Sequence, residues 1–144
     1  MYKKMPVFLL TIGLALVITG FAGWKGVEIS STNEFCGSCH VMKPMLESSF
    51  HSVHRAPQVN CKDCHLPNDN VVKMLGYKAY SGIKDVVSNT VGPPDQIRVT
   101  LTSKKIIQSN CVRCHATLVQ NISPDGGKYC FECHRSIPHG TSGL

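Results

Sequence analysis

CGSCH occupies residues 36–40, and the same pattern returns as CKDCH at 61–65, CVRCH at 111–115 and CFECH at 130–134. C-x-x-C-H is the attachment sequence of c-type haem, in which two thiols bind the porphyrin and the histidine ligates the iron. The four motifs contain all eight cysteines of the chain. We therefore predict four covalently bound haem c groups, attached at Cys36, Cys39, Cys61, Cys64, Cys111, Cys114, Cys130 and Cys133.

Two other uses of paired cysteines are open, namely zinc sites and disulfides. Zinc sites use C-x-x-C pairs freely but do not need a histidine directly after each second cysteine. Only seven of the 144 residues are histidine, so four such coincidences would be roughly a one-in-a-hundred-thousand accident. Cysteines at i and i+3 rarely bridge each other well. The tetrahaem interpretation is therefore favoured over both alternatives.

The N-terminal segment is apolar and without charge from Pro6 to Trp24. Its nineteen residues would span about 28 Å as a helix, close to the hydrocarbon thickness of a bilayer. A cleaved signal peptide is the alternative, and Gly20-Phe21-Ala22 would be a possible cleavage triplet. However, the apolar core of a signal peptide is typically about 7–15 residues. We therefore predict a retained transmembrane anchor within residues 1–29.

The charges that flank this segment indicate its orientation. Lys3 and Lys4 precede it, as expected for a cytoplasmic start, and Trp24 closes it as an interfacial anchor would. Everything after Trp24 then lies outside the cytoplasm, where bacteria attach c-type haem. We expect a periplasmic tetrahaem domain at 30–144, held on the bacterial inner (cytoplasmic) membrane by one helix.

Residues 30–144 contain too few large apolar side chains for an ordinary core around four separate sites. Each haem is a large apolar disc, so wrapping it can replace side-chain packing. The sequence thus predicts a mostly α fold of short helices and loops with little or no sheet. The formal charge of +6 does not predict a nucleic-acid partner, because four haems would contribute about −4 when oxidised and about −8 when reduced.

The histidine count limits the axial ligands of the four irons. Low-spin electron-transfer haems take two strong axial ligands, so four bis-histidine haems would need one more histidine than the seven present. At least one haem must be ligated differently, left open or completed by a partner. Among the histidines outside the motifs, His54 and His139 are the favoured ligands. His51 shares a predicted helical face with His54, and His139 follows the stiff residue Pro138.

The first motif offers two candidate ligands. Met42 lies two residues beyond His40, and a thioether is a normal haem ligand. From the spacing alone, His40 is the default ligand and Met42 could simply fill the core.

The chain resembles the NapC/NirT family of membrane-anchored multihaem quinol dehydrogenases. The resemblance rests on the single anchor, the four motifs, the ending CFECHRSIPH and the run CGSCHVMKPMLESSFHSVHRAPQVNCKDCHLP at 36–67. That run matches the family's C-x-x-C-H-x-M-x-P, S-x-H and C-x-x-C-H-x-P elements. The short length is most similar to the small quinol-oxidising subunits of ammonia-forming cytochrome c nitrite reductase.

The resemblance implies a complete ligand set. Met42 would ligate haem 1, with His40 turned away, and His51 would have no role. The remaining implied ligands are His65 and His139 for haem 2, His115 and His54 for haem 3, and His134 for haem 4. The other ligand of haem 4 would be a lysine of the catalytic partner, which accounts for the histidine shortage.

Residues 69–92 predict an amphipathic helix that ends at Gly92-Pro93-Pro94. Its apolar positions recur every three to four residues, at Val72, Leu75, Ala79, Ile83, Val86 and Thr90. Taken alone, this pattern is typical of a packed helix with a solvated face that carries Lys73, Lys84 and Asp85.

A quinol site needs a proton acceptor beside the first haem and a group that holds the quinol oxygen. Asp85 suits the first role and Lys78 the second, and their spacing of seven matches a lysine and aspartate near haem 1 in the family. The resemblance therefore implies that Lys78 and Asp85 form the quinol site, which Tyr77 and Tyr80 could also line.

The implied function is oxidation of menaquinol, followed by electron transfer through haems 1 to 4 to the multihaem catalytic subunit of a periplasmic nitrite reductase. Two alternatives stay open. The same quinol site could serve another periplasmic reductase, for nitrate or another substrate. Alternatively, the chain could be a tethered electron carrier without a quinol site. The sequence contains no pattern typical of a substrate-reducing centre.

Overall fold

The computed structural model describes residues 5–55, 58–94, 97–122, 128–137 and 139. These ranges contain helices and no strand, which confirms the mostly α prediction. Lys3, Lys4 and Pro138, which entered the predictions above, lie outside the described residues. The helices are α1 (Met5–Ile29), α2 (Asn33–Cys36), a 3-10 turn (His40–Met42), α3 (Lys43–Phe50), α4 (Cys61–His65), α5 (Val71–Val91), α6 (Leu101–Val119) and α7 (Cys130–Cys133).

Helix α1 has the length and composition of a membrane span. Its 25 residues correspond to about 37 Å, and its most apolar window has a mean hydropathy of 2.2 with no part buried against the rest of the protein. Lys25 and Glu28 form an ion pair of 2.8 Å near its C-terminal end, where the helix becomes polar. This agrees with the predicted anchor. The division into an anchor at 1–29 and a haem domain at 30–144 stays a prediction.

Helix α5 confirms the predicted amphipathic helix. The Asn70 side chain caps its first turn by accepting from the backbone N–H groups of Val72 and Lys73 at 2.9 and 3.1 Å. Gly92 ends it with φ +127°, a conformation that L side chains rarely adopt. The apolar positions of this helix remain exposed, so the polypeptide described here does not cover the predicted stripe.

Helix α6 was not predicted, because only short helices were expected around the haem motifs. The Thr100 side chain caps it by accepting from the N–H of Ser103 at 3.2 Å. The helix runs for 19 residues and departs from helical geometry at His115, where φ is −107° and ψ is 18°. The third motif therefore lies at the C-terminal end of a long helix, with its histidine at the bend.

The interior of the described chain contains no buried apolar side chain. Apart from Gly37, its buried residues are polar, namely Ser31, Asn33, Ser52 and Asn110. Many apolar side chains stay exposed, among them Phe35, Leu101 and Leu118. This agrees with the prediction that the polypeptide alone does not build an ordinary core, since an apolar porphyrin would supply the missing packing partner.

Candidate haem and quinol sites

Two pairs of histidines that are distant in sequence face each other in the folded chain. The ring centres of His65 and His139 are 5.9 Å apart at an interplanar angle of 39°. Those of His54 and His115 are also 5.9 Å apart, at 83°. A metal–imidazole bond is about 2.0–2.1 Å in zinc sites, so a metal between two imidazoles places their centres about 6–6.5 Å apart. Both pairs therefore fit the two axial ligands of one iron, and they are the pairs that the resemblance implies.

The backbone of α3 orients the ring of His139. Its Nδ1 lies 3.2 Å from the carbonyl oxygen of Met45, and a nitrogen that faces a carbonyl must carry the proton. Nε2 is then the unprotonated nitrogen that can ligate a metal. Metal-ligating histidines usually donate their other N–H to such a carbonyl or to a carboxylate. The contact thus gives His139 the tautomer of a ligand.

His65 is held in its neutral form. Its pKa is lowered to about 4, first because the surrounding protein disfavours the charged imidazolium and second because of His139. The residue is still exposed by surface area, since it borders an open cavity. A neutral imidazole at pH 7 keeps the lone pair that a metal requires.

An open cavity joins the second motif to the ligands of two predicted haems. The cavity is lined by Asn33, Ser49, His54, Val59, Asn60, Cys61, Cys64, His65 and His139. These residues fit haem 2, because two thiols and the imidazoles of His65 and His139 border the same space.

The first motif is packed tightly beneath α3. A Cβ atom at Gly37 would overlap the side chain of Leu46, whose Cβ and Cγ lie 3.0 and 3.1 Å from that position. His40 and Met42 lie in the same 3-10 turn, in which Met42 is half-buried and His40 is exposed. The greater burial of Met42 agrees with the arrangement that the resemblance implies, in which Met42 faces haem 1 and His40 is turned away.

The fourth motif differs from the second and third. His134 follows α7 and is exposed, and no ring contact joins it to another histidine within the described ranges. The described part of the chain therefore brings no second histidine to His134, and the incomplete ligand set of haem 4 stays a prediction of the resemblance.

The expectation that His51 and His54 share a helical face is wrong, because α3 ends at Phe50. His51 instead lies at the surface, with Nε2 3.6 Å from Oε1 of Glu47 and both side chains about three-quarters exposed. The chain then turns, and the Ser52 hydroxyl accepts from the N–H of His54 at 3.0 Å. This turn separates the two histidines, so that His54 alone reaches His115.

The alternative chemistries do not match this arrangement. The described residues include every cysteine and histidine of the chain. Among them, no three His, Cys, Asp or Glu side chains form a group that could hold a metal, whereas structural zinc takes four ligands. None of the eight cysteines forms a disulfide.

Lys78 lies at the end of the apolar anchor. Its Nζ donates to the carbonyl oxygen of Ser30 at 2.6 Å, one residue beyond the end of α1. Asp85 follows two turns later on α5, so the two residues share a helical face, about 10 Å apart along the axis. No ion pair joins them in the described structure. Asp85 is exposed by surface area, but partial desolvation by the surrounding protein raises its pKa, while the positive charge of Lys84 opposes the shift.

The two tyrosines beside Lys78 differ in their surroundings. The Tyr77 hydroxyl lies 2.7 Å from the Ser103 hydroxyl, which links α5 to α6. Tyr80 remains exposed. The contact with Ser103 therefore holds the Tyr77 ring toward α6, and no such contact holds Tyr80 in the described structure.

Sequence reasoning missed three side-chain amides that each connect two successive haem motifs, namely Asn33, Gln108 and Asn110. One signal was available, because an asparagine stands directly before the first cysteine of the second and third motifs. Of these two asparagines, Asn60 only caps its own short helix, whereas Asn110 reaches another motif. The sequence pattern does not distinguish these roles.

Comparison with known proteins places these features among haem proteins. Residues 1–116 match the N-terminal region of the NapC/NirT cytochrome c family. The chain is 36% identical to cytochrome c nitrite reductase subunit NrfH of Nitratidesulfovibrio vulgaris, over 79% of this chain and 71% of that protein. It is 33% identical to the cytochrome c-type protein NrfH of Wolinella succinogenes, over 96% and 85%.

A solved structure shares the fold of almost the whole chain. It is the crystal structure of the cytochrome c nitrite reductase NrfHA complex bound to the HQNO inhibitor. The TM-score is 0.80 at 32% identity, covering 94% of this chain and 93% of that chain.

Proposed function

Because the chain belongs to the NapC/NirT cytochrome c family, we propose that it is a membrane-anchored tetrahaem cytochrome that oxidises menaquinol. It passes the electrons to the periplasmic catalytic subunit of an ammonia-forming cytochrome c nitrite reductase. The observation that carries this proposal is the pair of histidine contacts at 5.9 Å, which joins ligands from distant segments. The chain would be the quinol dehydrogenase of that complex, without a terminal reductase centre of its own.

The haem ligands in this proposal are those that the resemblance implies, and the contacts of His54 with His115 and of His65 with His139 support two of the four sets. The eight motif cysteines hold four haems, which supply one-electron carriers when bound. Met42 ligates haem 1, His65 and His139 ligate haem 2, and His115 and His54 ligate haem 3. His134 provides one ligand to haem 4. The His139 tautomer and the neutral state of His65 support this assignment for haem 2.

The quinol site in this proposal lies where α5 meets the end of the anchor. Menaquinol oxidation releases two protons, so a proton acceptor must lie beside the substrate. Asp85 takes this role, and its raised pKa makes it a better proton acceptor than an ordinary aspartate. Lys78 holds the quinol oxygen, and its contact with Ser30 supports a position at the membrane surface.

The orientation in this proposal places the haem domain on the periplasmic side of the bacterial inner membrane. The charges before Pro6 support a cytoplasmic N-terminus, and α1 can span the bilayer. Protons and electrons from quinol would then leave on one side, so this step alone moves no charge across the membrane.

The partner in this proposal completes the fourth haem. The exposed His134 lacks a histidine neighbour in the described part of the chain, so a lysine of the catalytic subunit can supply the second ligand. The likeness to a chain of the NrfHA complex supports this choice of partner. Binding of nucleic acid is no part of the proposal.

The proposal is tested with the purified, haem-loaded protein in detergent under anaerobic conditions. We expect a menaquinol analogue to reduce the haems, HQNO to inhibit that reduction, and added nitrite reductase catalytic subunit to reoxidise the haems when nitrite is supplied. Reduction by dithionite but not by the quinol would instead identify a tethered carrier. Reoxidation by a nitrate reductase, and not by the nitrite reductase, would identify a different partner.

A further inference from the structure

A buried amide connects the first haem motif to the second. Asn33 stands three residues before Cys36 and is only 6% exposed. Its Oδ1 accepts from the backbone N–H of Cys61 at 2.8 Å. This N–H belongs to the first turn of α4, where no partner within the helix is available. The bond therefore fixes the start of the second motif relative to the first.

A second buried amide connects the second motif to the third. Asn110 directly precedes Cys111 and is 5% exposed. Its Nδ2 donates to the carbonyl oxygens of Cys64 and Leu66 at 2.9 and 2.8 Å, and its Oδ1 accepts from Nδ2 of Asn68 at 3.1 Å. Both donors and the acceptor of this side chain are thus engaged, along the contact where α4 packs against α6.

A third amide connects the third motif to the fourth. Gln108 lies three residues before Cys111 on α6, and its Oε1 accepts from the backbone N–H of Cys130 at 2.8 Å. That N–H again belongs to the first turn of a short helix, α7. The start of the fourth motif is therefore bound to the helix that carries the third.

We propose that Asn33, Asn110 and Gln108 are positioning residues that set the separation and orientation of consecutive haems. This proposal rests on the proposed function, because it assumes that each motif holds a haem. Each of the three amides bridges one pair of successive motifs, so that together they connect all four in chain order. No contact with a haem is required of them, since they act through the backbone of the motifs.

The composition of the interior explains why amides take this role. Apolar packing is non-directional, and the described chain buries no apolar side chain. Hydrogen bonds at 2.8–2.9 Å prefer a narrow range of distances and angles, and buried networks of this kind favour one geometry. Electron tunnelling falls exponentially with the distance between carriers, so a small shift of one motif slows one transfer step.

Two isosteric substitutions with opposite expectations test the proposal in the haem-loaded protein. Within the described part of the chain Asn33 engages only its oxygen, so Asn33→Asp keeps the acceptor for Cys61. Asn110 uses both N–H donors, so Asn110→Asp removes them and turns a carboxylate toward two carbonyl oxygens. Mass spectrometry first counts the haems in each variant. Electron paramagnetic resonance then measures magnetic coupling between haems, and flash photoreduction measures how fast an electron redistributes among them.

We expect Asn33→Asp to match the unsubstituted protein in both measurements. Asn110→Asp should retain four haems but show weaker coupling between haems 2 and 3 and a several-fold slower redistribution step. The proposal is overturned when the two Asp variants behave alike, whether both are unchanged or both are slowed.

If Asn110→Asp carries fewer than four haems, variants of the half-buried Gln108 test the proposal instead. Gln108→Glu keeps the acceptor for Cys130, and Gln108→Leu removes it. Slower transfer in the Leu variant alone supports the proposal, and equal rates overturn it. Photoreduction replaces menaquinol here, so these results do not depend on the quinol site. Absence of four haems from the unsubstituted protein would instead reject the proposed function.

Discussion

Asp85 should give quinol oxidation its pH dependence. Its pKa is raised by partial desolvation, and only the ionised carboxylate can accept a proton, so the rate of haem reduction by a menaquinol analogue should rise as pH increases through that pKa. Asp85→Asn should be slow at every pH and should lose this rise. The measurement is the initial rate of haem absorbance change across a pH series.

Lys84 provides a graded control for this prediction. Its positive charge lowers the pKa of Asp85, so Lys84→Met should move the rising part of the profile to higher pH without abolishing it. A profile that is the same in the unsubstituted protein and in Asp85→Asn would show that another group accepts the proton.

Lys78 should affect quinol binding more than electron transfer. Lys78→Met removes the ammonium group at the end of α1, and we expect the KM for the menaquinol analogue to rise several-fold while reduction by dithionite is unchanged. Lys73→Met is the matched control, because Lys73 lies on the same helix in an exposed ion pair with Asp69. Equal KM values for the two variants would exclude Lys78 from the quinol site.

Adding a single methyl group at Gly37 should destabilise the packing of the first motif against α3. Gly37→Ala places a Cβ against Leu46, and such overpacking typically costs about 1–3 kcal/mol. We expect a lower melting temperature together with an altered absorption spectrum of haem 1, because α3 and Met42 must shift. Gly13→Ala, with nothing within 4 Å of the added Cβ besides its chain neighbours and the backbone of its own helix, should leave both unchanged.

At the scale of secondary structure, the N-cap of α6 should contribute to the stability of the haem domain. Thr100→Ala removes the acceptor for the N–H of Ser103, and loss of such a cap costs about 1 kcal/mol. Thr102→Ala, in the exposed first turn of the same helix, should have a smaller effect. Thermal unfolding followed by circular dichroism compares the two, and equal melting temperatures would contradict a capping role.

The two long helices differ in how well the sequence predicts them. Helix α5 is predictable because its apolar residues follow a helical period and Gly92-Pro93-Pro94 ends it. Helix α6 contains the third motif, so its cysteines and His115 interrupt any simple apolar stripe. It packs against α4, a contact that a local pattern does not encode. The roles of Gln108 and Asn110 cannot be predicted from a local pattern either, because their partners lie in other helices.

At the scale of the whole molecule, haem attachment should decide whether the domain folds. The described chain buries no apolar side chain of its own, so a chain produced without the haem-attachment machinery should show no cooperative thermal transition. We also expect rapid proteolysis of its haem domain. The haem-loaded protein is the control, and a cooperative transition in the haem-free chain would contradict this prediction.

The chemistry of the whole molecule was more predictable than its geometry. The four motifs and the histidine count predict the cofactors and the ligand shortage without any fold. The pairing of His54 with His115 and of His65 with His139 could be expected only from the resemblance, because each contact joins distant segments. The surface position of His51 depends on where α3 ends, and its spacing from His54 indicated the wrong arrangement.

The lack of buried apolar side chains also bears on recovery from heat. In most haem proteins of other kinds the prosthetic group can dissociate when the chain opens, so recovery becomes bimolecular and depends on free cofactor. Here thioether bonds would keep every haem attached to the polypeptide chain that must enclose it. Renaturation is then unimolecular, and its rate should be the same in dilute and concentrated solution.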